Sequence, residues 1–405
     1  MKYVLVLIDG AGDFPIEELG GKTPLQVAKI PTIDSLARHG EMGLVKTVPD
    51  TMSPGSDIAN LSVLGYDPKI YHTGRSSLEA LSMGIELAED DVTLRCNLVT
   101  LSTANVFEER QMLDHSAGEI TTAEAAELME AVKEGLQAGP YKFYTGISYR
   151  HLLVWQEGSL DVELTPPHDI IGKEIAAYLP KGYNGADFTR MMKISTEILE
   201  QHPINLKRKE LGINPANAIW FWGEGKRPNL MQFKEKYRLK GAMISAVDLL
   251  KGIARGSGML SLEVPGATGT LHTNYAGKAN AALKILDTGY DFVYIHIEAP
   301  DECGHQGDLA GKISAIENID EKIVKPMLAA LDEWGEGYNM LVLPDHLTPI
   351  STRTHARGAV PFVLYKSKQL ENHPTRSYDE EQAQATGIFF KDGPSLFRHF
   401  VEQDS

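Results

Sequence analysis

Three segments far apart in the chain end the same way, with a carboxylate or imidazole directly after an apolar run. YVLVLI (3–8) runs into Asp9, and FVYIHIEAP runs into Asp301, with His305 four residues on. MLVL (340–343) runs through a proline into Asp345 and His346, and His355 follows nine positions after His346. Aspartates and histidines with no cysteine among them suit a divalent ion such as zinc, manganese or cobalt, and this many carboxylates can hold two ions. Taken singly, an Asp at a strand end is as often a cap or turn residue, and a lone histidine more often packs or faces solvent. The repetition at three strand ends carries the metal reading. A two-metal centre serves phosphoryl transfer, one ion activating the attacking oxygen and the other stabilising the leaving one. A route through the protein needs a hydroxyl nucleophile, and Ser56 in SPGSDIANLSVLG (53–65) is the candidate. It follows a Pro54-Gly55 turn and opens an apolar helical run, where backbone N–H groups favour an anion. The same place suits an N-cap serine, and the two roles are compatible. Ser53 lies before the turn, and Ser62 lies well into the helix.

These residues need elements that bring them together. YVLVLI, FVYIHI (292–297), MLVL and VPFVLY (360–365) are near-continuous apolar runs, the pattern of strands covered on both faces in a parallel sheet. Between them lie helical patterns. GKISAIENIDEKIVKPMLAALDEW places Ile313, Ile316, Ile319, Ile323 and Met327 near one face. Strand–helix–strand repetition implies right-handed crossovers and an open α/β sheet, in which ligands bind outside the carboxyl ends of the strands. The middle of the chain reads differently. It holds a helix over TTAEAAELMEAVKEGL, strand candidates YKFYTGISY, HLLVWQ and AIWFWGEG, a helix around FTRMMKISTEILEQH, and a basic stretch, GKRPNLMQFKEKYR (225–238). We read residues 76–237 as a second, smaller α/β domain inserted into a first one made of 1–75 and 238–405. The aromatics Trp220, Phe221 and Trp222 are expected in its core.

With 405 residues, 42% hydrophobic and 23% charged, the composition is that of an ordinary globular protein. The formal net charge of −16 excludes a sequence-independent nucleic-acid binder, yet it leaves room for a small anionic substrate beside local cations or metal ions. Two cysteines, Cys96 and Cys303, make no disulfide framework and suit a reducing compartment. No run approaches the roughly 18 apolar residues of a membrane span. The first hydrophobic run is strand-sized and closed by Asp9, unlike a signal peptide. The expectation is a cytoplasmic protein with neither nucleic acid nor membrane as partner.

VLVLIDGAGD, PGSDIANLSVLGYDP, IEAPDECGHQGD and PDHLTPISTRTH together resemble the cofactor-independent phosphoglycerate mutases of the archaeal type, members of the alkaline phosphatase superfamily. VPGATGTLHTNYAGK (264–278) and SYRHLLVW (148–155) resemble that family too, so the likeness spans nearly the whole chain. It implies an alkaline-phosphatase-like, mostly parallel sheet flanked by helices, and an inserted domain that closes over substrate. It also implies two divalent metal ions, usually manganese with zinc or magnesium in some members, and no 2,3-bisphosphoglycerate. Carried over position by position, Asp9, Ser56, Asp345 and His346 hold one ion, while Asp301, His305 and His355 hold the other. Ser56 then becomes phosphoserine as 3-phosphoglycerate is converted to 2-phosphoglycerate, with the glycerate trapped meanwhile.

For that role the insert must supply cations and a proton carrier. Arg150, Arg227 and Lys226 are the candidates for the substrate's carboxylate and phosphate, His115 and Asp169 for the proton, and Lys278 for charge beside the metals. Each reads equally as an ordinary polar surface residue. GEGK is no phosphate loop, because its spacing fails and Arg227 stands where Ser or Thr belongs. The alternatives are a phosphomonoesterase or phosphopentomutase on the same chassis, and a non-catalytic metal-binding relative. A phosphonopyruvate decarboxylase fits poorly, since decarboxylation needs neither the serine nor two ions. The substrate class leaves a monomer or a homo-oligomer equally open.

Overall fold

The computed structural model describes residues 1–402, which divide into two compact units, 1–72 with 229–402 and 73–228. The larger unit is built on an eight-stranded sheet. Its order is Leu260–Leu262, Gly241–Ile244, Phe292–Ile297, Lys2–Ile8, Tyr338–Leu343, Val360–Lys366, Glu41–Val45 and Phe389–Phe390. Lys2–Ile8 lies at the centre, parallel to both neighbours. The sheet is mostly parallel, but Val360–Lys366 runs antiparallel to the strands on either side of it. Its apolar run could not reveal this, because burial on both faces gives the same pattern in either direction.

Why the runs are continuous is plain from the packing. Val4, Val6 and Ile8 face one helical layer, with Ile33, Leu36, Ala282, Ile316 and Ile323 in the same core. On the other face Tyr3 meets Phe400 edge-on at 5.7 Å, and Phe292 packs on Phe233 and Phe397. Alternate residues of each strand therefore enter two separate apolar layers.

The register sets the site. Ile8 lies opposite Ile297 and Leu7 opposite Leu343, so the three central strands end at one level. The Asp9 N–H continues the ladder by donating to the Ile297 carbonyl (3.0 Å).

The long helical pattern after His305 is interrupted. Leu309–Ile319 and Lys325–Trp334 are joined through a π turn at Asp320–Val324. Pro326 lacks an N–H and its ring crowds the carbonyl four residues back, a conflict that a wider turn relieves. The turn also aims Asp320 at a neighbour. Its buried carboxylate accepts from the N–H groups of Thr32 (3.3 Å) and Ile33 (2.7 Å), at the start of a helix, Pro31–His39, whose own N-cap is the apolar Ile30.

The smaller unit is an antiparallel sheet covered by helices. Val92–Leu101 is its central strand, pairing with Arg150–Trp155 on one side and Ala218–Lys226 on the other. Tyr141–Ile147 extends the sheet, and Met112–Asp114 pairs near the end of the central strand. Helices Thr122–Leu136 and Gly185–Glu200 share its core with Trp220 and Phe221.

Asp320→Ala should destabilise the protein by about 1–2 kcal/mol, the usual effect of losing a helix N-terminal acceptor. Urea denaturation followed by circular dichroism checks this.

Candidate metal centre

Each of the predicted cluster residues lies at the carboxyl end of a central strand or on the loop or helix that follows. Asp9 ends the first strand, and Gly10 turns the chain with φ +62°. Only glycine fits there. A Cβ would stand 2.6 Å from both Asp301 Oδ1 and Thr348 Oγ1. Asp301 and His305 lie one turn apart on the helix Ala299–Gln306, which places both on one face.

Two groups of donors converge, Asp9 with Asp345 and His346, and Asp301 with His346 and His355. His346 belongs to both. Its Nε2 lies 3.2 Å from Asp345 Oδ2 and 3.7 Å from Asp9 Oδ1. Its Nδ1 lies 3.2 Å from Thr348 Oγ1, whose hydroxyl donates to Asp301 Oδ1 (2.5 Å). With that hydroxyl proton committed to Asp301, Thr348 accepts from Nδ1–H, which leaves the Nε2 lone pair facing the carboxylates. His305 Nε2 stands 3.2 Å from Asp301 Oδ2 and 3.1 Å from His355 Nε2. The His346 and His355 rings lie 4.0 Å apart.

The serine is in place as well. Ser56 is the first residue of the helix Ser56–Val63, with Gly55 as its N-cap, so its side chain caps nothing. Its Oγ instead lies 3.2 Å from His346 Nε2.

The electrostatics suit cations. Burial, followed by the charges of Asp345 and Asp301, holds the Asp9 carboxyl well above its usual range. Its Oδ1 is buried with no hydrogen-bond partner among the described residues. Burial would raise Asp301 too, but hydrogen bonds from His305 and His355 outweigh it and hold that carboxyl well below its usual range. The same hydrogen bond raises His305 to about 9. Burial lowers His346, favouring the neutral imidazole that a metal takes. Crowded carboxylates, an orphaned oxygen and the neutral His346 imidazole fit divalent ions.

A supporting shell went unread in the sequence. His296 Nε2 donates to Asp9 Oδ2 (2.7 Å), and its Nδ1 faces the Ser245 hydroxyl (3.1 Å). Asn60 donates to Asp345 Oδ2 (3.0 Å) and to the Ser56 carbonyl (2.8 Å), and accepts from Tyr294 (2.5 Å). The signals were present. Tyr294 and His296 are polar at period two inside FVYIHI, and Asn60 stands four residues after Ser56 on one helix face. Lys278 is fully buried, pushed down to about 8 by that burial, and donates to the His296 carbonyl (2.8 Å). Its hydrogen bond in this region is therefore to the strand backbone, not to a cluster side chain.

In the insert, the predicted residues are spread over two regions. His115, half-buried, has its ring 5.8 Å from Tyr149 and 6.1 Å from His168. Asp169 is exposed beside His168 (3.7 Å), and Arg150 is exposed over the Tyr149 ring. Trp222 joins this group rather than the core alone. Its ring stacks under Arg95 at 4.3 Å and lies 5.2 Å from His168, while Nε1 donates to Asn97 (3.0 Å). Arg95, which the sequence reading passed over, is buried and paired with Glu79 (3.0 Å). Lys226 and Arg227 stand elsewhere. The Lys226 backbone pairs with Thr73, and exposed Arg227 donates to the Leu87 carbonyl (3.1 Å).

Comparison with known proteins points one way. A family model described as 2,3-bisphosphoglycerate-independent phosphoglycerate mutase matches residues 37–205. A protein of that name from Methanosarcina barkeri is 50% identical over 384 residues, covering 95% of each chain. A probable one from Geobacter sulfurreducens is 47% identical over 403 residues, covering 100% of each. Among solved structures, a Pyrococcus horikoshii protein aligns over 100% of this chain and 99% of its own with TM-score 0.81 and 29% identity. The cofactor-independent phosphoglycerate mutase of Thermoplasma acidophilum aligns over 99% and 100% with TM-score 0.67 and 27% identity.

His296→Phe keeps a ring but removes the donor to Asp9. Loss of such a support typically weakens metal affinity about 10–100-fold. Competition with a fluorescent chelator measures it, and an unchanged affinity would mean that His296 does not orient Asp9.

Proposed function

The chain belongs to the 2,3-bisphosphoglycerate-independent phosphoglycerate mutases, and from that membership we propose that Ser56 is its nucleophile and the Asp–His cluster its metal centre. The protein is an isomerase that interconverts 3-phosphoglycerate and 2-phosphoglycerate. One observation carries the residue assignment. The Ser56 hydroxyl, freed from capping, faces the lone pair of His346 inside the Asp9–Asp345–His346 group.

Asp9, Ser56, Asp345 and His346 hold one divalent ion, and Asp301, His305 and His355 hold the other, with His346 near both groups. Manganese, zinc and magnesium all suit this donor set. When bound, the ions supply positive charge to the serine oxygen and to the leaving oxygen. Ser56 Oγ attacks phosphorus, so a bond to Oγ forms as the bond to the glycerate oxygen breaks and the serine proton leaves. The helix N-terminus at Ser56 offers N–H dipoles to the phosphoryl oxygens. Asn60 holds Ser56 and Asp345 in fixed relation by bonding both. The reverse transfer to the other hydroxyl completes the isomerisation.

The free glycerate must stay bound and turn between the two transfers. Arg150, beside the Arg95–Trp222–His168–His115 group, and Arg227 with Lys226, in a separate region of the insert, are the cations for its carboxylate and for the phosphate. His115 and Asp169 hold the proton exchanged between the hydroxyls. Exclusion of water by the insert separates a mutase from a phosphatase. No helix among the described residues is long and apolar enough to cross a membrane, and we place the enzyme in the cytoplasm.

Ser56→Ala should lower mutase turnover at least about 10³-fold while the metal content stays that of the parent enzyme. Full activity in that variant would overturn the covalent route. Chelation should abolish turnover, and added manganese should restore it. Arg150→Gln should raise KM for 3-phosphoglycerate about tenfold. If the parent enzyme released phosphate without forming 2-phosphoglycerate, the phosphomonoesterase reading would replace this one.

A further inference from the structure

The basic stretch 225–238 is divided at the boundary after Pro228, and its second half belongs to the larger unit. There the short helix Phe233–Tyr237 puts Lys236 on the wall of a cavity of about 790 Å³ that the phosphoryl-transfer site does not use. Five cations line this cavity, Lys46, Lys69, Lys236, Lys391 and Arg398, in a chain of net charge −16. Three carboxylates line it too, and each is engaged. Asp50 pairs with Lys46 (2.5 Å), Asp67 accepts from the Lys69 N–H (3.0 Å), and Asp392 accepts from the Ser395 N–H (2.8 Å) and hydroxyl (2.5 Å).

The other four cations, Lys69, Lys236, Lys391 and Arg398, have no ion pair among the described residues. Lys236 is the most constrained. Its ammonium lies 5.4–5.9 Å from the ring centres of Tyr66, Tyr71 and Tyr237, and burial together with the Arg398 charge lowers its pKa. Like charges gathered around a concave surface repel one another unless an anion joins them, and they raise the local concentration of anions. The volume lies within the range of small-molecule sites. Tyr71 and Tyr237 give the cavity aromatic walls.

We propose that this cavity binds a small molecule bearing a diphosphate group. Five cations against three carboxylates leave the wall two positive charges in excess, more than a monoanion neutralises. A diphosphate carries several negative charges on oxygens that can reach lysines and an arginine together. The site is separate from the metal centre but mechanically close to it. Thr47, on the cavity wall, donates to the Asp345 carbonyl (2.5 Å). Ser62, also on the wall, lies on the helix that begins at Ser56.

The test is calorimetric titration of the holoenzyme with ADP and with inorganic pyrophosphate. Saturating 3-phosphoglycerate occupies the metal centre, and excess magnesium prevents metal stripping. Binding below about 1 mM is expected for at least one probe. Equal affinities identify the diphosphate as the recognised group, and tighter ADP binding adds the tyrosine walls. Lys236→Gln/Arg398→Gln should weaken binding by about 100-fold while melting temperature and mutase rate stay at parent values. A control, Lys207→Gln on the insert, should bind like the parent. No heat from either probe at about 5 mM, or undiminished affinity in the folded double variant, would overturn the proposal.

Discussion

Three aspartates held close together in a dry place repel one another, and the larger unit is arranged around that repulsion. Asp9 carries the strain most visibly. Its carboxyl is pushed up by burial and by Asp345 and Asp301, and one oxygen has no hydrogen-bond partner among the described residues. A protein selected only for stability would not keep such a group, because an unpaired buried polar atom costs about 1–3 kcal/mol. Divalent cations bound there would turn mutual repulsion into shared attraction.

The surrounding hydrogen bonds follow from the same constraint. The donors that aim the carboxylates are His296 for Asp9, Asn60 for Asp345, and Thr348 together with His305 for Asp301. A buried lysine pair nearby, Lys312 with Asp13 (2.7 Å), also donates to the carbonyls of Gly12 and Thr348, so it braces the loops rather than the cluster. The parallel register supplies the rigidity. Three strands ending at one level leave their next residues little freedom to move apart.

The helix Ser56–Val63 ties several of these features together. Its first residue faces His346, Asn60 bonds Asp345, and Ser62 lines the cationic cavity. A short rod with such contacts along its length transmits displacement better than a loop, since packed interiors deform little.

Much of this was legible in the residues alone. Near-continuous apolar runs ending in Asp9, Asp301 and Asp345 dictate a two-sided α/β sheet and name the positions at its carboxyl edge, because burial on both faces leaves that pattern in the chain. Other features were not legible. Val92–Leu101, the central strand of the insert, escaped notice because Arg95 and Asn97 interrupt it, and partners such as Glu79, Trp222 and the His115 carbonyl make those polar residues tolerable inside a sheet. The antiparallel course of Val360–Lys366 leaves no mark in composition. Which nitrogen of His346 faces the carboxylates, and whether Ser56 caps its helix or points away from it, depend on Thr348 and Gly55 in three dimensions. Sequence determines what a residue can do and where along an element it sits. Tertiary structure alone decides which groups lie within hydrogen-bonding distance, because those contacts join residues hundreds of positions apart.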